Sequence, residues 1–247
     1  ASYAALVLSM TAETVPPDSM VVEADLDSYT GIHAPLVTVS ADGTQVGVYD
    51  IFNLEPDTQR LNAHATVTVP YQVSWAAAGP RGASVFVVNA SDAEGVLVDL
   101  ASGQELRRWP NTVSVVSSPS HGQLARVESR PEGNVVVVEE LDGGGQQTFM
   151  PSPGAAGPSG PLSWSADGLA VSQDDGTVAV LDPATTAEYG DAQTVPGPLY
   201  AASWSEGRLV GTEDCCAASP IVTVNPRTGE RETAQDTLAK VAVAAAG

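Results

Sequence analysis

Residues 162–186 read LSWSADGLAVSQDDGTVAVLDPATT. An apolar run at 162–165 ends on Ala166-Asp167-Gly168, a second run fills 169–172, and Asp174-Asp175-Gly176 leads into TVAVL at 177–181. Asp-Gly is a strong hairpin signal, because glycine enters the positive-φ region without steric cost and aspartate tolerates it while bonding its own backbone. TVAVL is β-branched, apolar and short, which favours a buried strand over a helix. Asp182-Pro183 ends it, since proline cannot donate to a ladder. Three strands in about twenty residues make a meander that cannot bury both faces alone, so it must stack on copies of itself.

The outline recurs. With Trp164, four positions ahead of Gly168, as the ruler, the matching positions are Val39 in VSADG, Trp75 in WAAAG, Ser118 in SPSHG, Trp204 in the shorter WSEG and Val243 in VAAAG. The steps are 36, 43, 46, 40 and 39 residues, and crossing from Gly247 to Ala1 adds 43. Six steps of this size match the period of about 40–45 residues found in propeller blades. The expected fold is therefore an all-β, six-bladed β-propeller, one domain over residues 1–247. Its blades fall near 34–70, 71–110, 111–151, 160–197 and 198–238. The sixth is shared between the termini, 239–247 supplying an inner strand and 1–33 the rest. Joined, the ends read VAVAAAG-ASYAALVLS, parallel to VSWAAAGPRGASVFVVN in the second copy; each half leaves an unpaired edge until the other docks.

The stretch GTVAVLDPATTAEYGDAQTVPGPLYAASWS, with its valine-rich strand, Asp, Ala-Thr and Val-Pro-Gly in order, resembles the YVTN-type repeat. Across its whole length the chain resembles a bacterial extracytoplasmic β-propeller of the WD40-like or YVTN-like kind. It departs from true WD40 blades in lacking their Gly-His and Trp-Asp pair, and copies one and three are degenerate. The resemblance implies the architecture; it does not by itself imply one function.

Ten basic residues against thirty acidic ones leave a net charge of −20. The basic residues are scattered, so no stripe exists for phosphates, which argues against nucleic acid and anionic membrane surfaces as partners. The acidity reads either as solubility or as attraction to a cationic partner. No apolar run reaches the roughly eighteen residues of a membrane span. Low charge density and richness in Ser, Thr, Ala and Gly point to a secreted or extracytoplasmic chain, tethered if at all through an N-terminal segment lying outside this sequence.

The only cysteines are adjacent, Cys215 and Cys216. Neighbouring Cα atoms lie about 3.8 Å apart, below the usual disulfide range of about 4.4–6.8 Å, so a vicinal bridge requires a strained ring. It would close almost no loop and add little through chain entropy. An oxidised pair that shapes the turn or touches a ligand, a redox-responsive pair and two incidental thiols are the three readings. Zinc lacks a four-ligand set.

In propellers generally, the turns between second and third strands share a face with the blade-to-blade connections, and that face commonly binds ligands. By this analogy it gathers Cys215, Cys216, Asp214, Glu213, Asp174, Asp175, Glu132, Ser91, Asp92, the Pro/Gly-rich linker 151–161 and the segment 27–33 with His33. The linker reads as a spacer or as a mobile rim. No cofactor is expected; calcium is the one ion such acids could hold, although acids in Asp-Gly turns ordinarily serve the hairpin. His33, His64 and His121 map apart, and no nucleophile elbow, HExxH or P-loop is present. Trp75, Trp164 and Trp204 read as inter-blade packing and Trp109 as exposed. The expected function is a monomeric, non-catalytic binding or sensing module for a protein or small ligand. The alternatives are a propeller-type lyase or hydrolase with an acidic or metal-assisted site, and a structural or assembly subunit.

Overall fold

The computed structural model describes residues 19–24, 35–54, 61–80, 83–120, 122–205, 207–214 and 219–239. Within them the chain forms five four-stranded antiparallel sheets, each a meander in chain order. The first holds β1 (Ser19–Ala24), β2 (Pro35–Ser40), β3 (Gln45–Leu54) and β4 (Leu61–Thr68). The second holds β5 (Val73–Ala78), β6 (Ser84–Asn89), β7 (Glu94–Asp99) and β8 (Glu105–Trp109), and the third β9 (Thr112–Ser117), β10 (Gln123–Glu128), β11 (Val135–Glu140) and β12 (Gln146–Phe149). The fourth is built from β13 (Pro158–Ser165), β14 (Gly168–Gln173), β15 (Val178–Leu181) and β16 (Gln193–Val195). The fifth is built from β17 (Tyr200–Ser205), β18 (Arg208–Thr212), β19 (Ser219–Val224) and β20 (Arg231–Ala239). A five-bladed β-propeller results.

The six-bladed expectation is thereby corrected. β1, assigned from sequence to a shared sixth blade, pairs with β2 through Met20↔Val39 and Ala24↔Leu36 and heads the first sheet. Ala239, expected to open that sixth blade, instead ends β20, opposite Ser219. The remaining parts of the expected closing blade, 1–18, 25–33 and 240–247, lie outside the described residues. The physical reason for the miscount is that an Asp-Gly turn announces a hairpin without saying which one. VSADG joins the second and third strands of its sheet, whereas WSADG joins the first and second of its own.

The ruler slipped at Trp75 too. Trp164 pairs with Leu169 and Trp204 with Leu209, one step in from their first turns. Trp75 pairs with Val88, at the far end of its hairpin. The matching four-residue spacing to a glycine hides a longer interval between the first two strands of the second blade, from Ala78 to Ser84.

Valine-rich central strands make the core. Buried residues fall into clusters between successive blades: Val37, Val46, Val85 and Val96 join blades one and two, Trp75, Phe86, Trp109 and Leu124 join two and three, Phe149, Leu162, Trp164 and Leu169 join three and four, and Val195, Leu199, Trp204 and Val222 join four and five. Blades two, three and four bury both faces against neighbours, which is why their central strands read as continuous apolar runs rather than strict alternations. Trp109, expected to be exposed, is only 4% exposed. Its ring packs 5.9 Å from Phe86 at a 58° tilt, and the Arg107 guanidinium lies 4.9 Å from its centroid.

Candidate functional site: the connector face

Four segments link the blades: 69–72, 110–111, 150–157 and 196–199. Each meets the turns between second and third strands, through a recurring set of backbone hydrogen bonds. Val73 N donates to Gly43 O, Ala90 N to Gln72 O, Thr112 N to Ala93 O, Ser129 N to Asn111 O, Asp174 N to Gly157 O and Leu199 N to Gly176 O, all at 2.6–3.0 Å. Side chains complete the belt at two places. Asn134 Nδ2 donates to Pro158 O (2.8 Å) between blades three and four. Between four and five, Arg231 donates to the carbonyls of Pro196 (3.0 Å) and Pro198 (2.8 Å) while standing 3.5 Å from Glu213. This ring of connectors and turns is the connector face.

The acids singled out from sequence are brought onto this face, and most are committed to local structure. Asp175 Oδ1 accepts from Thr177 N (2.9 Å) and Thr177 Oγ1 (2.6 Å), and these bonds, hydroxyl first, hold its carboxyl below the ordinary aspartate value. Asp42 does the same with Ser40 and Thr44, and Asp99, in a turn at the other end of its blade, with Ser102. Asp174 Oδ1 accepts from Gly157 N (3.2 Å), and Asp92 Oδ2 accepts from Asn89 Nδ2 (2.9 Å), beside Ser91, whose N donates to Asn89 Oδ1. Glu132 is exposed in the 129–134 turn. Asp214 offers its carbonyl to Thr212 Oγ1 (2.9 Å). Cys215, Cys216 and His33, with the rest of 27–33, lie outside the described residues, as do the side chain of His64 and all of His121. Among the described residues no three His, Cys, Asp or Glu side chains gather as a metal-ligand set.

The Pro/Gly-rich stretch 151–161 is pinned rather than free-standing. Pro158 to Pro161 belong to β13, with a bulge between Pro158 and Leu162 that accommodates the two prolines. Gln173 Nε2 donates to Ala156 O (3.3 Å) and to the hydroxyl of Tyr189 (3.2 Å), while its Oε1 lies 2.5 Å from Thr177 Oγ1, whose single proton it shares with Asp175. Tyr189 is buried, which raises its hydroxyl pKa.

Sequence reasoning missed one charged constellation. Glu139 on β11 is 7% exposed, and its Oε1 accepts from Trp109 Nε1 (2.6 Å) and pairs with Arg107 Nη2 (2.7 Å). Its Oε2 lies 3.7 Å from Arg126 Nε; Arg126, 5% exposed, stands 2.5 Å from Glu128, which Arg130 reaches at 2.6 Å. Desolvation raises the Glu128 pKa, but its bonds and charges from Arg130 and Arg126 outweigh this and lower it overall. The signal was there: in LARVE, Leu124, Arg126 and Glu128 share one strand face by the period of two, so a charge was due on a buried surface.

Among the described residues, no helix is long and apolar enough to cross a membrane. No family model matches the chain, and no curated protein matches it. Solved structures do. A chain from the crystal structure of a nidogen/laminin complex is similar over 88% of this chain and 80% of its own, at 13% identity and a TM-score of 0.64. The β-propeller domain of Cps50 (Swd1) from Myceliophteria thermophila is similar over 82% of this chain and 70% of its own, at 12% identity and a TM-score of 0.53. At such identities the likeness establishes the fold: the chain is a β-propeller.

Proposed function

We propose that the chain is a non-catalytic protein-binding module, a monomeric domain acting outside the cytoplasm, whose connector face engages its partner. The observation that carries this reading is the hydrogen-bonded belt. It makes a rigid frame of the face while leaving loop side chains such as Glu132 outward, and preorganised surfaces lose less entropy on docking. The similar chain from a nidogen/laminin complex comes from a protein assembly, which supports the same reading. With a net charge of −20, the fitting partner carries a basic surface, and association should slow with added salt. Small-ligand recognition at Cys215-Cys216, oxidised as a vicinal disulfide, is a narrower form of this proposal, resting on the position of the pair beside Glu213 and Asp214.

Site-specific photocrosslinking tests the assignment. A crosslinking residue placed at Asp92, Glu132 or Asp175 should capture a discrete partner from the chain's native extracellular milieu. The same residue at Asp142 or Glu188, in loops at the opposite ends of the blades, should not. Capture from the opposite set, or equally from both, overturns the choice of face.

A further inference from the structure

The charged constellation between blades two and three lies apart from the binding reading. It links two blades through a single carboxylate. Arg107 and Trp109 come from β8, Glu139 from β11 and Arg126 from β10, so among the described residues Glu139 is the one anion that both blades address directly. We propose that Glu139 is an acid-sensitive latch across this seam: ionised, it ties the outer strand of blade two to blade three, and protonated, it releases that strand.

The groups facing the latch define its sign. Arg107 also donates to the carbonyl of Leu141 (3.2 Å), and Arg126 and Arg130 share Glu128. Arg108 is occupied by Glu94 and Glu105. Glu140, the next residue on β11, points to the other face and accepts from Gln123 Nε2 (2.8 Å); β12 brings no titratable side chain. Three guanidinium groups therefore surround two carboxylates. Neutralising Glu139 leaves the buried Arg126 with Glu128 alone and takes from the partly exposed Arg107 its carboxylate partner, and losing one anion from a largely buried ionic cluster is unfavourable. The other seams have no such device among the described residues. The core between blades one and two is valine and alanine, and Trp75 Nε1 donates to the neutral carbonyl of Val115 (3.2 Å). The latch also reaches the connector face, because Glu128 ends β10 next to Ser129, which bonds Asn111.

The indole N–H groups of Trp109 and Trp75 provide paired reporters in the intact chain, one bonded to a carboxylate and one to a carbonyl. In proton–nitrogen NMR spectra recorded from pH 7 to pH 3, the Trp109 indole signal should shift in one titration step. Its hydrogen exchange should accelerate at least tenfold at a pH where Trp75 is unchanged. Glu139→Gln should abolish the step. Arg107→Met, which removes a cation that favours the ionised form, should move the step to higher pH, and it keeps the test open if Glu139→Gln fails to fold. The proposal is overturned if both indoles lose protection together, if Glu139→Gln retains the step, or if Arg107→Met leaves its midpoint in place.

Discussion

At Ala93 the backbone adopts φ +50°, the left-handed region that costs a residue with a Cβ about 1 kcal/mol. The belt demands it, since Ala93 must turn its carbonyl toward Thr112 N. Ala93→Gly should therefore stabilise the fold by about 0.5–1 kcal/mol, measured by urea denaturation. Asn111, at φ +52°, should gain less from the same change, because asparagine tolerates this region. Gly168 presents the reverse case: its φ is +133°, and a Cβ there would stand 3.0 Å from the carbonyl oxygen of Leu181. Gly168→Ala should cost about 1–3 kcal/mol. The turn acids carry a pH dependence. Asp42, Asp99 and Asp175 have folded pKa values lowered from 3.8 by hydroxyl and amide donors. Their contribution is present above that value and fades as pH falls through the lower folded one. Carboxyl NMR titration should place all three midpoints below 3.8; midpoints at or above it would remove the turn bonds from the account.

Strands and connectors answer to different forces. A strand such as β8 is held by what its inward side chains meet, and Trp109 shows the size of this. Were it a surface residue, Trp109→Ala would change stability by no more than about 0.5 kcal/mol. Buried against Phe86 and bonded to Glu139, it should cost about 3–5 kcal/mol. Connectors depend on polar ties instead. Arg231→Ala removes two hydrogen bonds to the 196–198 segment and an ion pair with Glu213. It should cost about 1–2 kcal/mol and speed amide exchange at Leu199 and in 210–214, while exchange in the second blade stays unchanged. Uniform acceleration across the chain would refute a local tie.

For the molecule as a whole, shared seams imply cooperativity. Because each described cluster draws residues from two successive blades, no blade from the second to the fourth owns its core. Trp164→Ala, in the seam between blades three and four, should lower a single calorimetric transition by roughly 6–20 °C, taking about 3–5 kcal/mol at about 2–4 °C per kcal/mol. Two separated transitions would show that the blades unfold as independent units.

The amino-acid sequence alone determined that the chain is a stack of antiparallel meanders, because alternation, β-branched runs and Asp-Gly turns are local chemistry. It also made the turns acidic for a local reason, since aspartate closes hairpins. It could not determine the blade count: VSADG and WSADG have the same turn chemistry at different strand junctions, and only pairing across the sheet tells them apart. The same limit put Trp75 level with Trp164 and left Trp109 on the surface, because depth along a hairpin and burial against the next blade are set by residues dozens of positions away. The charges of Arg126 and Glu139 were readable, but their meeting was not. They lie thirteen residues apart on adjacent strands, and the Trp109 and Arg107 that complete the set come from another blade. Only the tertiary structure brings a neighbouring blade's edge against that face, and burial there turns ordinary surface residue types into an ionic latch.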